Sequence, residues 1–293
     1  MTIRDWVPDG TETERPNAAR VYDYYLGGSH NFEADREMAR RAIALWPDVP
    51  KIIRANRAFL HRAIRFIAAQ GVRQFIDLGS GMPTVGSVHE VARSVRPDAR
   101  VVYVDIDPVV VAHARLILDG DPFATVIRAD LTDADEVLHH PDLCQVLDLH
   151  EPVALLMIAV LHFVPDESHP AQIVAAYRDA LAAGSYLAVT HATQDGQRPE
   201  QASEHRALYA RTATPMTMRS HGEIAALLAG WALVDPGLVR MPLWRPDSVE
   251  ELPEHPEEFA GYGAVGRQAT PIDDHHEPTD PPEPTEPTTT ADR

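Results

Sequence analysis

The chain predicts an α/β fold: an open, mostly parallel sheet with helices on both faces. Three observations predict it. After Gly71, strand-like and helix-like segments alternate. The strand-like runs are continuously apolar, as strands buried on both faces must be. And 293 residues make about one large α/β domain with additions.

The elements follow in order. Asn17 to Tyr25 reads as a short helix that Gly27 and Gly28 can end, since glycine accepts left-handed backbone angles. Ala34 to Trp46 reads as a second helix, stopped by Pro47 and Pro50. Lys51 to Gln70 reads as a third. Its Ile52, Ile53, Phe59, Leu60, Ala63, Ile64 and Ile67 recur on one face, and Gly71 suits its C-terminal cap. Strands are expected at Gln74–Leu78, Arg100–Val104, Ala124–Arg128, Val153–Val160 and Tyr186–Thr190. Between them lie helices at Val85–Val95, Pro108–Leu118, Ala134–Leu147 and Ala171–Ala183, with Asp107-Pro108 a strong helix start. Further helices are expected near Glu200–Ala213 and Ser220–Leu228, then strands near Ala232–Val239 and Tyr262–Arg267, seven strands in all.

The domain reading is a helical segment over 1–70, an α/β domain over 71–268 and a tail over 269–293. From Thr270 onward the chain is acidic and rich in Pro and Thr. Such a stretch has little to bury against its ordering entropy and is expected to be disordered. His275-His276 within it is a weak metal candidate.

Composition excludes much. Net charge is −18, and Lys51 is the single lysine. A phosphate loop ending in Gly-Lys and a Ser-x-x-Lys nucleophile are therefore ruled out. The acidity argues against nucleic acid as main partner. One cysteine, Cys144, excludes internal disulfides and cysteine zinc clusters and fits a cytoplasmic location. The 15 histidines show no ligand spacing, so no metal site is expected. The longest apolar run, Val153–Val160, is too short for a membrane, which takes about 20 residues.

Ile76 to Thr84 reads IDLGSGMPT, placing Asp77, Gly79, Ser80 and Gly81 at a strand-to-helix turn. Glycines let the backbone approach a ligand, and the next helix offers free N–H groups. A nicotinamide dinucleotide is disfavoured: Thr84 stands where a third glycine belongs, and Asp77 would repel a pyrophosphate yet can face an amine or sulfonium. Asp105, with Ile106 after it, closes the second strand and can hold both ribose hydroxyls; the nearby Asp107 reads as a helix cap. Asp130 and Leu131 follow the third strand and can contact adenine. Each acid alone is commonly only a strand-end residue. Together they sit at the carboxyl ends of three successive strands, where open α/β sheets bind ligands.

These motifs, with LHFVPD after the fourth strand, resemble the class I S-adenosylmethionine-dependent methyltransferases. RPNAARVYDYYLGGSHNFEADRE, RANRAFLHRA, RQFIDLGSGMPT, RVVYVDIDPVV and GSYLAVTH narrow the likeness to the S-adenosyl methyltransferase family long left uncharacterised in actinobacteria, over roughly Arg15 to Gln268. The resemblance implies a Rossmann-like fold with seven strands, an N-terminal helical cover and S-adenosyl-L-methionine as cofactor. It implies no acceptor; a small molecule is the default expectation. By that similarity Asp77, Gly79 and Gly81 line the methionine part, Asp105 the ribose, Asp130 and Leu131 the adenine, and Ala159 and Val160 the amino-acid part.

Tyr22, Tyr25, Gly27, Gly28 and Asn31 read either as a cover over the cofactor mouth or as simple helix packing. Arg54, Asn56 and Arg57 read as a carboxylate-binding group or, more plainly, a solvated or structural ion-pair face. His162 and His191, at the ends of strands four and five, are candidate bases, with Tyr22 as a further catalytic candidate; either histidine can instead be structural. His89 reads as structural. The competing functional reading is a binding module that senses an adenosyl metabolite without transferring methyl. Oligomeric state is not legible.

Overall fold

The computed structural model describes residues 13–83, 86–196 and 215–269. Among them β1 (Gln74–Leu78), β2 (Arg100–Asp105), β3 (Ala124–Arg128), β4 (Val153–Ile158) and β5 (Tyr186–Ala192) run parallel. They join β6 (Trp231–Leu233), β7 (Val239–Arg240) and β8 (Gly261–Gln268) in one sheet. The order is β3-β2-β1-β4-β5-β8-β6, with β7 on β8. β8 is antiparallel to β5, β6 and β7. The strand order reverses between β1 and β4, and a crevice opens at the carboxyl ends there.

Alternation along the strands feeds a core on each face. Ile76, Leu78, Val102 and Val104 point to one, which Val174 and Tyr177 of α8 (Pro170–Ala180) complete. Phe75, Val101 and Tyr103 point to the other, filled by Phe59, Ile64 and Ile67 of α3 (Val49–Ala69). α4 (Val88–Val95) and α5 (Pro108–Ile117) cover the same side. α1 (Ala18–Tyr25) and α2 (Glu33–Leu45) join the start of α3 in a small cluster of their own, with Val21, Met38, Ala42 and Val49 buried.

The sheet holds eight strands, not seven, because the expected Ala232–Val239 strand splits. Asp235-Pro236-Gly237 interrupts it: Pro236 has no N–H for a ladder, and Gly237 turns at φ +84°. The expected helix Ala134–Leu147 also divides, into α6 (Ala134–Leu138) and α7 (Pro141–Val146), because Pro141 can begin a helix but cannot continue one. β4 stops at Ile158 rather than Val160, where Ala159 turns to φ +54°. The last described helix is α9 (His221–Leu227). The expected helix at Glu200–Ala213 and the tail from Thr270, with its histidine pair, lie outside the described residues. No described helix is long and apolar enough to cross a membrane.

Candidate functional site

One cavity of about 490 Å³ opens at the strand tips, and its floor is built from motifs close in sequence. Gly79 and Gly81 turn the chain out of β1 at φ +66° and +62°. The Gly79 and Ser80 amides donate to the Val104 carbonyl at 2.8 and 3.1 Å, fastening the turn to β2. Gly79 must lack a side chain for a second reason: a Cβ there would collide with Val160. Asp105 accepts from the Gly81 amide through Oδ2 (2.8 Å) and from the Asp107 amide through Oδ1 (2.9 Å). One carboxylate thus holds the glycine turn and the start of α5 in register.

Burial dominates the electrostatics. It pushes the Asp77 carboxyl up to about 7, with Arg57 opposing and Asp105 adding to the rise. It pushes Asp105 up to about 6 against the Asp107, Gly81 and Ile106 amides that favour its charge. Among the described residues no side chain or amide donates to the Asp77 carboxylate. Two acids poised to ionise in one cavity favour a cationic guest. Arg57, half-buried in the same wall, sets a cation beside Asp77, so the pair presents opposite charges as an α-amino acid zwitterion requires. Asp130 and Leu131 line the far end, Asp130 spending Oδ1 on the Thr132 amide (2.9 Å) and hydroxyl (2.8 Å). Ile106 is an exposed apolar edge of the cavity.

The roof comes from elements far apart in sequence. Asn17 caps α1, accepting from the Ala19 amide at 2.8 Å. Arg20 of α1 is buried between two carboxylates: Nε pairs with Asp35 at 3.0 Å and an Nη with Asp107 at 3.0 Å. Asp107 also caps α5 through the Val109 amide (2.7 Å), the role expected of it. A chain of hydrogen bonds then crosses the cavity wall. The Ala159 amide donates to the Thr190 hydroxyl (2.8 Å), which donates to Asn56 Oδ1 (2.6 Å). Asn56 Nδ2 in turn donates to the Tyr22 hydroxyl (2.8 Å). It holds Ala159 in its left-handed turn and ties β4, β5, α3 and α1 together. Burial raises the Tyr22 phenol, which does not favour it as a phenolate base.

The structure therefore gathers Tyr22, Tyr25, Asp77, Gly79, Ser80, Gly81, Asp105, Ile106, Asp130, Leu131, Ala159, Val160, His162 and His191 around one cavity. Gly27 and Gly28 are not part of its lining. Gly27 ends α1 at φ +80°, and Gly28 lets the buried Asp23 carboxylate accept from His30 and Asn31. His191 is not a free base. Its Nδ1 meets its neighbour's carbonyl, Ala192 O (2.7 Å), and Arg219 donates to Nε2 (2.9 Å). Burial, with Arg219 adding, lowers it to about 4. His162 lines the cavity with Nδ1 3.4 Å from the Ala192 amide. His89 binds the Tyr103 hydroxyl at 2.7 Å, a structural contact.

Asn56 and Arg57 are where the solvated-face reading fails: Arg54 is exposed, but Asn56 is buried. The signal was present. Asn56 falls three and four residues from Ile53, Ile52, Phe59 and Leu60, on the apolar stripe itself. Thr190, Met216 and Met218 carried no such signal.

The family model described as S-adenosyl methyltransferase matches residues 4–269. A candidate methyltransferase from Thermobifida fusca is 42% identical with a TM-score of 0.84, covering 91% of this chain and 100% of its own. A DUF574 family protein from Streptomyces avermitilis is 39% identical with a TM-score of 0.83, over 87% and 98%. An O-methyltransferase family protein from Burkholderia thailandensis shares the fold at 13% identity and a TM-score of 0.50, over 89% and 66%. No curated protein is similar enough to count as a relative.

Proposed function

The chain belongs to the S-adenosyl methyltransferase family, and from that premise we propose that it methylates a small-molecule acceptor by in-line displacement. Its fold is that of class I methyltransferases, its cofactor is S-adenosyl-L-methionine, and it is a methyltransferase dependent on that cofactor.

One observation carries the reading of the site: carboxylates at the tips of β1, β2 and β3 share a cavity with a glycine turn that no side chain could replace. Asp77 and Arg57 would grip the ammonium and carboxylate of the methionine part. Asp105 would take the ribose hydroxyls with lone pairs its amide donors leave open, and Asp130 Oδ2 with the Leu131 amide would meet the adenine. Bound there, the cofactor would supply an electrophilic methyl group on a sulfonium, with the sulfide as leaving group, and His162 or water would take the acceptor's proton. This chain's remaining task is alignment and exclusion of water, done by the roof of α1 and α3. His162 rather than His191 is assigned the proton contact, because Arg219 holds the Nε2 lone pair of His191.

Calorimetric titration with S-adenosylmethionine, S-adenosylhomocysteine and NAD tests the site. Both adenosyl ligands should bind and NAD should not. Asp105→Ala should weaken adenosyl binding by roughly 1–3 kcal/mol. No loss would remove Asp105 from the site. Methyl label appearing on no compound of a metabolite extract would favour the sensing module instead.

A further inference from the structure

Resting on that reading, we infer that the acceptor half of the cavity takes a neutral aromatic compound with an oxygen substituent. Once the strand-tip residues are given to the cofactor, the remaining wall includes Tyr22, Trp46, Ile53, Phe163, Met216 and Met218. These come from α1, the end of α2, α3, the turn after β4 and the stretch before α9. Five of the chain's seven methionines (Met38, Met82, Met216, Met218 and Met241) line this one cavity. Thioethers bend to fit a ring and make favourable sulfur–aromatic contacts, and Trp46, Phe163 and Tyr22 offer flat faces for stacking.

Charge selects against ions. Among the described residues the cavity's charged side chains are Asp23, Arg57, Asp77, Asp105 and Asp130. Asp77, Asp105 and Asp130 stand at the strand tips, and Arg57 shares the cavity with Asp77 and opposes the rise in its carboxyl pKa. Asp23 gives Oδ2 to the His30 amide (2.9 Å) and Asn31 (2.8 Å), and its Oδ1, with no hydrogen-bond partner among the described residues, is buried against Gly28, outside the cavity lining. Among the described residues the acceptor half thus turns no carboxylate toward an ammonium group and offers no further Lys or Arg for an acid, and burying either ion unpaired is costly. The oxygen substituent follows from Tyr22. Its oxygen accepts from Asn56, so its own proton points elsewhere, at present toward the Ile53 carbonyl at a long 3.5 Å. A ligand oxygen is a better partner than that contact.

The test loads the protein with S-adenosylhomocysteine and titrates it with 1-naphthol, 1-naphthoate and 1-naphthylmethylammonium near neutral pH. The naphthol should bind about tenfold or more tighter than either ion. Met218→Glu should weaken the naphthol and strengthen the ammonium compound, and Phe163→Ala should weaken all three. Either ion binding the parent protein as tightly as the naphthol, or none of the three binding while S-adenosylhomocysteine does, overturns this inference and leaves the cofactor reading standing. Failure of S-adenosylhomocysteine itself to bind removes both.

Discussion

The floor and the roof of the cavity are made in opposite ways. The floor is three strand tips and a glycine turn, polar, close in sequence, with Asp105 and Asp130 held by backbone amides. The roof is mostly helical and apolar, assembled from segments far apart in sequence and fastened by buried side chains such as Arg20 and Asn56. The difference teaches a division of labour. A cofactor common to a family can be read by a fixed backbone turn, whereas an acceptor is read by side chains that can change one at a time without disturbing the sheet.

The largest test of that contrast is Arg20→Ala. It leaves Asp35 and Asp107 as buried carboxylates without their shared cation, and should cost about 3–5 kcal/mol of stability. Because the Asp107 amide holds the floor's Asp105, cofactor binding should fall as well; thermal melts with and without S-adenosylhomocysteine read both. If melting drops while affinity is untouched, roof and floor are uncoupled. Gly79→Ala comes next. It forces a side chain into a left-handed turn and against Val160, which should cost about 2–4 kcal/mol in denaturant unfolding and abolish adenosyl binding. Retained binding would mean that the turn yields more easily than a rigid floor allows.

The smallest effect sharpens the electrostatic side. The Asp77 carboxyl is raised by burial from 3.8 to about 7. A raised acid favours the folded state below its ordinary value, and that contribution is lost as pH climbs through about 7. Asp77→Asn should therefore stabilise the ligand-free protein by about 1–3 kcal/mol at about pH 8 and by nothing near pH 3. The same change should weaken binding of the cationic cofactor. A variant no more stable than the parent at the higher pH would show that Asp77 is ionised at little cost.

The sheet and the floor were legible because their signals are local. Apolar runs gave β1 to β5, Asp-x-Gly-x-Gly marked the turn, and Asp107-Pro108 marked α5. Where Pro interrupts a run, at Pro141 and Pro236, the residue that breaks it is visible in the sequence, but the apolar pattern continues on both sides of it. The roof was hardly legible. Arg20 meets Asp107 across 87 positions and Thr190 meets Asn56 across 134, and no window of sequence spans such a pair. His191 shows the same limit from the other side: a histidine at a strand end looks like a base until Arg219, from another segment, closes on it.

The position of Trp46 has an optical consequence. It stands half-buried in the cavity wall, while Trp231 and Trp244 are buried in the main cores. An aromatic guest stacked on that indole would quench its emission, leaving the two deeper indoles as an internal standard.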